Sequence, residues 1–280
     1  MPRRAAVALA SAGCGLALLI LTWVLAFHVG PFERADQSIY NGFGGLQRPR
    51  VDSLARFVAR LCNPQPYVYF AAALVLTALV RRRGRVALAV AAILLGANLT
   101  TQLLKPLLAH PRAASLLGGV APVAPASWPS GHATAAMALA LSLVLVVPSR
   151  LRPLAAGLGA LFAVAVSFSF LTLGWHYPSD VFGGFLVAGI WALLALAALT
   201  TTWHGARRRV DVDRGSMRQA LTPPAAVLIG ALGLAGLVAL ARPHEVVVYA
   251  QVHTAFLVGA ASIGALGLAL ATGLMLAFRR

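Results

Sequence analysis

Residues 127–148, SWPSGHATAAMALALSLVLVVP, place a serine and a histidine at the entrance to a long apolar run. Pro129 and Ser130 are residue types that commonly begin a helix. Gly131 lets the backbone approach a ligand closely, and His132 follows it in the first turn. The stretch therefore predicts an apolar helix that carries polar chemistry at its N-terminal end.

The composition places this helix in a membrane protein. Hydrophobic residues make up 60% of the 280 residues and charged residues only 11%, which is more apolar content than a soluble domain of this size requires. Several runs approach or exceed the roughly 20 apolar residues that cross a bilayer core. Eight apolar spans are expected: Ala5 to Phe27, 66–80, 86–104, 133–148, 153–173, 180–202, 223–241 and 252–278. We predict an all-α fold, a polytopic membrane helical bundle.

The spans divide the chain into a core and an extension. We expect residues 1–203 to form a core of about six transmembrane helices. Residues 204–222 would be a cytoplasmic basic loop, and residues 223–280 a C-terminal two-helix membrane extension. The first span follows Arg3 and Arg4, as a signal peptide would, but no small-x-small cleavage site comes after its long apolar stretch. We expect it to be retained as the first transmembrane helix.

The distribution of basic residues predicts the orientation of the bundle. With the N-terminus in the cytoplasm and eight alternating helices, 15 of the 23 Lys and Arg residues lie on the cytoplasmic side. This bias follows the positive-inside rule and places both termini in the cytoplasm of a multi-pass plasma-membrane protein. The arginines recur at helix ends and do not form one basic face, so the net charge of +16 does not indicate a nucleic-acid partner.

Segment 28–65, between the first two spans, leaves two interpretations open. Apolar residues recur through it at helical spacing, with arginines among them: Val51, Leu54, Phe57, Val58 and Leu61. This pattern is typical of a short amphipathic helix that lies in the membrane interface. It is equally compatible with an early start of the second transmembrane helix.

Ionisable residues cluster on the predicted outer face, in the two loops that join the third span to the fourth and the fifth span to the sixth. Lys105 and Arg112 follow the third span, His132 opens the fourth, and His176 and Asp180 open the sixth. Polar groups gathered on one face of a membrane protein are a functional-site hypothesis. Lys105 is the one lysine in a chain with 22 arginines, and a compact ammonium suits contact with a phosphate. A cation at a helix end that snorkels to the interface is the alternative.

The spacing within this cluster predicts its chemistry. The amides in the first turn after Ser130, together with the helix dipole, form an anion site, and His132 can donate a proton to a leaving oxygen. His176 precedes Asp180 by four residues, so the carboxylate can bond one imidazole nitrogen and leave the other as a nucleophile or base. Two histidines and an aspartate also suit zinc. Phosphoryl chemistry is favoured because neighbouring Lys105 would attract an anion and oppose a metal ion.

The order of these residues resembles the type 2 phosphatidic acid phosphatase family of membrane lipid phosphatases. Three motifs appear in sequence: Lys-x6-Arg at 105–112, Pro-Ser-Gly-His at 129–132, and Ser-x6-His-x3-Asp at 169–180. The resemblance extends loosely over the first six helices. It implies a helical bundle with its site at the membrane surface, so that residues 1–203 become a phosphatase core.

The resemblance also implies roles for individual residues. His176 would attack phosphorus to form a phosphohistidine, Asp180 would orient it, and His132 would protonate the leaving group. The phosphate oxygens would be held by the remaining members of the motifs, namely Lys105, Arg112, Ser130 and the amide of Gly131. No metal or other cofactor is implied.

Two positions depart from the family pattern. Ala113 follows Arg112 where the family usually has proline, and Phe170 follows Ser169 where it usually has arginine. The second change removes a guanidinium that would bind phosphate, and such charge-assisted contacts are a large catalytic term. We expect catalysis to be possible but slower, unless another cation such as His110 or Arg34 compensates.

These observations predict an integral membrane lipid phosphatase with an extracytoplasmic site. A polyprenyl diphosphate, phosphatidic acid or phosphatidylglycerophosphate would be its substrate, and the bilayer its surroundings. Two alternatives stay open: a catalytically weakened or inactive phospholipid-binding protein of the same fold, indicated by Phe170, and a lipid transporter, suggested by eight helices. The sequence does not indicate the oligomeric state.

Overall fold

A computed structural model describes residues 2–111, 123–201 and 217–279, and in these ranges the chain is helical with no β-strand. The all-α prediction is therefore confirmed. The helices are α1 (Arg3–His28), α2 (Gly30–Gly44), α3 (Pro49–Arg60), α4 (Pro64–Val80), α5 (Gly84–Leu107), α6 (Gly131–Val146), α7 (Arg152–Thr172), α8 (Pro178–Thr201), α9 (Met217–Ala241), α10 (Pro243–Val252) and α11 (Thr254–Arg279). Short 3-10 turns at Pro125–Ser127 and Ser149–Leu151 precede α6 and α7.

Seven of the described helices are long and apolar enough to cross a membrane: α1, α5, α6, α7, α8, α9 and α11. The predicted span 66–80 is α4, which is apolar but has only 17 residues. Pro64 starts this helix and the Arg81–Arg83 run follows its end. The protein is a multi-pass integral membrane protein.

Prolines fix where many of these helices begin. Six described helices carry proline in the first turn, where its missing N–H costs no hydrogen bond: α2, α3, α4, α7, α8 and α10. At the other end of α7 the chain turns through Gly174, whose φ of 73° is unfavourable for any residue with a Cβ. Gly174 thus lets the chain turn after α7, and Pro178 begins α8 a few residues later.

The centre of the bundle is α6, which packs against α5, α7 and α8 and is buried along most of its length. Small residues allow the close contact. A Cβ on Gly184 of α8 would lie 2.7 Å from the carbonyl oxygen of Ser130 and 2.9 Å from Cβ of Ala133. Such close helix packing through small residues is typical of membrane bundles. It brings the N-terminal ends of α6 and α8 together.

Helix α1 packs along α8 at the edge of this core. Its buried residues are four alanines, one leucine and one phenylalanine: Ala5, Ala8, Ala12, Leu19, Ala26 and Phe27. Beside this contact lies an apolar cleft of about 380 Å³, formed by α1, α5 and α8. Leu104, Trp23 and Trp128 are among its lining residues.

Segment 28–65 forms two helices before α4 begins. Of the two interpretations left open, the separate amphipathic helix is the one observed, as α3. Its Leu54 and Phe57 are 64% and 65% exposed, whereas Ala55 and Ala59 are buried against the bundle. Helix α3 ends at Arg60 and a new helix starts at Pro64, so α3 and α4 are not continuous. Helix α2 was not anticipated, because its sequence mixes polar and apolar residues without a clear apolar run.

The C-terminal extension packs back onto the core. Helix α9 begins at Met217, earlier than the expected 223, and includes Pro223 and Pro224. Helix α9 packs on α7, and α11 packs on α7, α8 and α2. Most of the predicted loop 204–222 lies outside the described residues, so the division into core, loop and extension stays a prediction.

The contact at Gly184 generates a test of the fold. Gly184→Ala should push the ends of α6 and α8 apart, because the nearest atom is backbone and cannot rotate away. Overpacking of this kind costs about 1–3 kcal/mol, and we expect a lower midpoint of thermal unfolding in detergent. Gly230→Ala is the matched control, because nothing lies within 4 Å of its Cβ position. Equal midpoints for the two variants would refute the close contact.

Candidate active site

The centre of the site is a buried hydrogen bond between a histidine and an aspartate. Nδ1 of His176 lies 3.1 Å from Oδ2 of Asp180, and the same oxygen accepts the backbone N–H of Tyr177 at 3.0 Å. The Asp180 side chain is completely buried, and His176 is nearly so. Because the carboxylate accepts the hydrogen on Nδ1, the lone pair of a neutral imidazole lies on Nε2. The pair therefore presents Nε2 as a nucleophile or base.

The backbone places this pair through a short connection that we call the His176 segment, residues 172–180. It leaves α7 through Gly174 and enters α8 at Pro178, so that Asp180 lies in the first turn of α8. A carboxylate at this position is stabilised by the helix dipole and by the Tyr177 amide that it accepts. The spacing of four residues thus lets one carboxylate both cap the helix and orient His176.

The N-terminus of α6 is joined directly to this segment. The backbone N–H of Ser130 donates to the carbonyl oxygen of Asp180 at 2.9 Å. Oγ of Ser130 accepts the N–H of Ala133 at 3.3 Å, as a helix N-cap does, and Ser130 is completely buried. Within the described residues, the amides of Gly131 and His132 make no hydrogen bond. These two amides at the dipole end of α6 can receive an anion.

Lys105 lies next to this helix end. A Cβ built on Gly131 would be 3.8 Å from Nζ of Lys105 and 3.8 Å from Nε2 of Gln102. The Thr101 and Thr134 hydroxyls, 3.0 Å apart, join α5 to α6 one turn away and fix this approach. Lys105 also interacts electrostatically with Asp180 and with His132. Its ammonium group therefore lies beside Gly131 and within the candidate site.

His132 is held by a residue that the sequence did not single out. Its Nε2 lies 3.0 Å from Oδ1 of Asn63, in the connection between α3 and α4. A carboxamide oxygen only accepts, so Nε2 of His132 carries a hydrogen in this arrangement. Asn63 occupies the N-cap position of α4, and the sequence around it indicates only the start of a helix. A helix start does not by itself indicate a functional site.

Phe170 lies between the two histidines. Its ring centroid is 6.0 Å from that of His132 and 5.2 Å from that of His176, and its side chain is completely buried. Trp175 closes the other side of His132 at 5.9 Å and is partly exposed. The position expected to carry a guanidinium thus carries an aromatic ring in contact with both imidazoles.

The structure brings together six of the seven predicted site residues: His176, Asp180, His132, Ser130, Gly131 and Lys105. Arg112 and Ala113 lie outside the described residues. Within the described ranges, no group of three His, Cys, Asp or Glu side chains is placed to bind a metal ion.

The two cations suggested as substitutes for the missing guanidinium lie elsewhere. His110 packs against Phe27 and His28, with ring centroids 5.8 and 5.4 Å away. Arg34 lies along its own helix, with a guanidinium nitrogen 3.4 Å from the Cβ position of Gly30. Among the contacts of the described residues, neither side chain reaches His132 or His176.

Comparison with known proteins finds a matching family over part of the chain. Residues 85–209 match the model of the PAP2 superfamily, a segment that starts in α5 and contains all three motifs. Over this part of the chain, the match confirms the resemblance to type 2 phosphatidic acid phosphatases.

The fold is also similar to a solved structure. This is the crystal structure of a protein described as the first transmembrane PAP2 type phosphatidylglycerolphosphate phosphatase, from Bacillus subtilis. The two share 19% sequence identity with a TM-score of 0.56, over 70% of this chain and 98% of that one. No curated protein matches the chain.

The bond between Asn63 and His132 can be tested directly. Asn63→Ala should lower kcat for phosphate release by about tenfold, because an unoriented imidazole loses part of its contribution as an acid. Asn98→Ala is the matched control, since the Asn98 amide donates to the Tyr67 hydroxyl and the Leu94 carbonyl and not to His132. An Asn63→Ala variant with the kcat of the wild type would show that this hydrogen bond does not serve the reaction.

Proposed function

We propose that the protein is a membrane lipid phosphatase that hydrolyses a lipid phosphate or diphosphate monoester through a phosphohistidine at His176. The observation that carries this proposal is the His176–Asp180 hydrogen bond beside the amide-lined N-terminus of α6. The match of residues 85–209 to the PAP2 superfamily supports the same activity. In this proposal the lipid and water are the reactants, and the chain's own residues supply the nucleophile, the acid and the base.

The first step transfers the phosphoryl group to the enzyme. Nε2 of His176 uses its lone pair to form a bond to phosphorus as the bond between phosphorus and the leaving oxygen breaks. The leaving oxygen takes its electron pair and receives a proton from His132. The buried Asp180 carboxylate balances the positive charge that develops on the His176 ring.

The second step releases phosphate. Water gives a proton to His132, which is now neutral, and its oxygen forms a bond to phosphorus as the phosphorus–nitrogen bond breaks. Inorganic phosphate leaves, and both histidines return to their starting states. His132 therefore acts as a general acid in the first step and as a general base in the second.

Phosphate binding is assigned to the positive end of α6 and its neighbours. The free amides of Gly131 and His132 would contact phosphate oxygens, with Lys105 neutralising their charge. Arg112 is proposed to join them. Ser130 caps the helix through its oxygen, and its hydroxyl hydrogen would be its contribution to the phosphate.

A lipid substrate fits the surroundings of this site. The amphipathic α3 exposes Leu54 and Phe57 close to the connection that holds Asn63. The apolar cleft of about 380 Å³ includes Leu104, the chain neighbour of Lys105, and Trp128, which precedes the Pro-Ser-Gly-His motif. Polyprenyl diphosphate, phosphatidic acid and phosphatidylglycerophosphate are all candidates. The similar Bacillus subtilis structure is described as a phosphatidylglycerolphosphate phosphatase, which adds weight to the last.

The orientation is also part of this proposal. The positive-inside distribution supports cytoplasmic termini in the plasma membrane and an extracytoplasmic active site. In that arrangement, the N-termini of α6 and α8 face the outer leaflet, where lipid headgroups can reach them.

One observation favours a second candidate, a catalytically weakened phospholipid-binding protein of the same fold. Phe170 fills the space between the two histidines with an apolar ring where a guanidinium would bind phosphate. Such a protein would bind a lipid phosphate at Lys105 and the α6 amides and release phosphate slowly or not at all.

The proposed activity is tested by phosphate release from the purified full-length protein in detergent. The three candidate lipids are assayed with and without EDTA. His176→Ala should lower kcat at least about 10³-fold, because it removes the nucleophile. His244→Ala serves as the matched control, since His244 is exposed in the first turn of α10. Release that persists in His176→Ala would overturn the mechanism, and binding without release would favour the second candidate.

Phe170 provides a further prediction. Phe170→Arg should raise kcat/KM about tenfold or more, because a guanidinium between the two histidines would contact the transferring phosphoryl group. Phe170→Leu removes the ring without adding charge and should not raise it. An increase in both variants would mean that relief of crowding, and not the restored charge, is responsible.

A further inference from the structure

Helix α2 contacts the His176 segment through several hydrogen bonds. This helix lies outside residues 85–209, which match the family model. The Tyr177 hydroxyl donates to Oε1 of Gln37 at 2.8 Å, and the Tyr40 hydroxyl donates to the Gly174 carbonyl at 3.3 Å. The Tyr40 and Tyr177 rings also stack, with centroids 4.7 Å apart. Burial raises the pKa of Tyr40, which keeps its hydroxyl protonated as a donor. These contacts hold the segment on both sides of His176.

The strongest of these contacts is made by Asp36. Its Oδ1 accepts the backbone N–H of Ser179 at 2.9 Å, and its Oδ2 accepts the Ser179 hydroxyl at 2.7 Å. Ser179 immediately precedes Asp180, the partner of His176. The first turn of α8 is therefore held by two carboxylates, one from its own sequence and one from α2.

Asp36 is buried, with 7% of its surface exposed. A buried carboxylate is costly unless its oxygens are well bonded, and here each oxygen has a short bond to Ser179. Its negative charge also lies at the positive end of α8. A surface helix that served only to cover the bundle would need none of these features, since an apolar residue would pack as well.

The C-terminal extension contacts α2 near its C-terminal end. The Tyr249 hydroxyl on α10 donates to the carbonyl oxygen of Gly42. On α11, Phe256 packs edge-on to Phe43 with centroids 4.8 Å apart. Helix α2 thus lies between the extension and the His176 segment, and both α2 and the extension lie outside residues 85–209.

We propose that Asp36 is a positioning residue for the nucleophile, acting through Ser179 to fix the first turn of α8 and with it the pair His176–Asp180. The C-terminal extension provides the support that keeps α2 in place. This inference rests on the proposed function of His176. It assigns a role in the reaction to a helix that the family model does not include.

The proposal predicts a specific kinetic signature. Asp36→Ala should lower kcat about 10- to 100-fold with little change in KM, because a nucleophile displaced by a fraction of an ångström still binds phosphate but attacks poorly. Ser179→Ala should lower kcat less, since the Ser179 N–H still reaches Asp36. Adding Ser179→Ala to Asp36→Ala should have little further effect on kcat, because the bond between Asp36 and the Ser179 hydroxyl is already absent.

Two further variants separate positioning from general stability. Asp36→Asn preserves both contacts, with its oxygen accepting the Ser179 N–H and its NH₂ donating to the Ser179 hydroxyl, and should recover most of the kcat lost in Asp36→Ala. Ser38→Ala deletes a hydroxyl whose bond among the described residues lies within α2, to the Arg34 carbonyl, and should leave kcat unchanged. A role confined to stability would instead lower the midpoint of thermal unfolding in Asp36→Ala and leave kcat at the wild-type value.

The experiment combines these kinetics with hydrogen–deuterium exchange of the full-length protein. Exchange in the peptide covering residues 174–182 should rise in Asp36→Ala and stay near the wild-type rate in Ser38→Ala. Wild-type kcat in Asp36→Ala, or additive losses in the double variant, would overturn the proposal while leaving the phosphatase activity established. If the wild type releases no phosphate, the proposed function fails. Unchanged exchange in Asp36→Ala would then also refute the hold of Asp36 on the segment, whereas faster exchange would support it.

Discussion

The arrangement of the site depends on the hydrogen bonds that the buried residue Asp180 accepts. One side-chain oxygen of Asp180 accepts hydrogen bonds from the His176 ring and from the Tyr177 amide. The backbone carbonyl of Asp180 accepts a hydrogen bond from the Ser130 amide. One residue thereby orients the proposed nucleophile, caps α8 and joins α8 to the proposed anion-binding end of α6. The Asp180 side chain is fully excluded from solvent, so these hydrogen bonds lie in a low-dielectric environment. A polar group left without a hydrogen-bond partner there would be costly to stability.

The helix packing makes this arrangement possible. Gly184 lets α8 approach the backbone of α6 closely enough for Ser130 to reach the carbonyl of Asp180. Thr101 and Thr134 join α5 to α6 and bring Lys105 to the same end. The positive ends of two helices and one ammonium group then converge on a single region. Such convergence favours a multiply charged anion such as a phosphate, in agreement with the PAP2 superfamily match.

The sequence predicted what depends on local pattern and failed where distant segments meet. Apolar runs predicted the spans, and the spacing of His176 and Asp180 predicted their bond, because both are properties of one helix or one turn. Nothing local connects Asn63 to His132 or Asp36 to Ser179, which are separated by 69 and 143 residues. Helix α2 also lacked a clear apolar run, because it buries a carboxylate as well as apolar residues.

The most direct test of the central claim is to trap the phosphoryl-enzyme. Full-length protein in detergent would be mixed with a candidate lipid labelled with ³²P in the transferred phosphate and quenched within milliseconds under alkaline conditions, which preserve phosphohistidine. The account predicts label on the peptide that contains His176, lost on acid treatment and absent from His176→Ala. Phosphate release at full rate with no label on that peptide, or with label on a different residue, would contradict it.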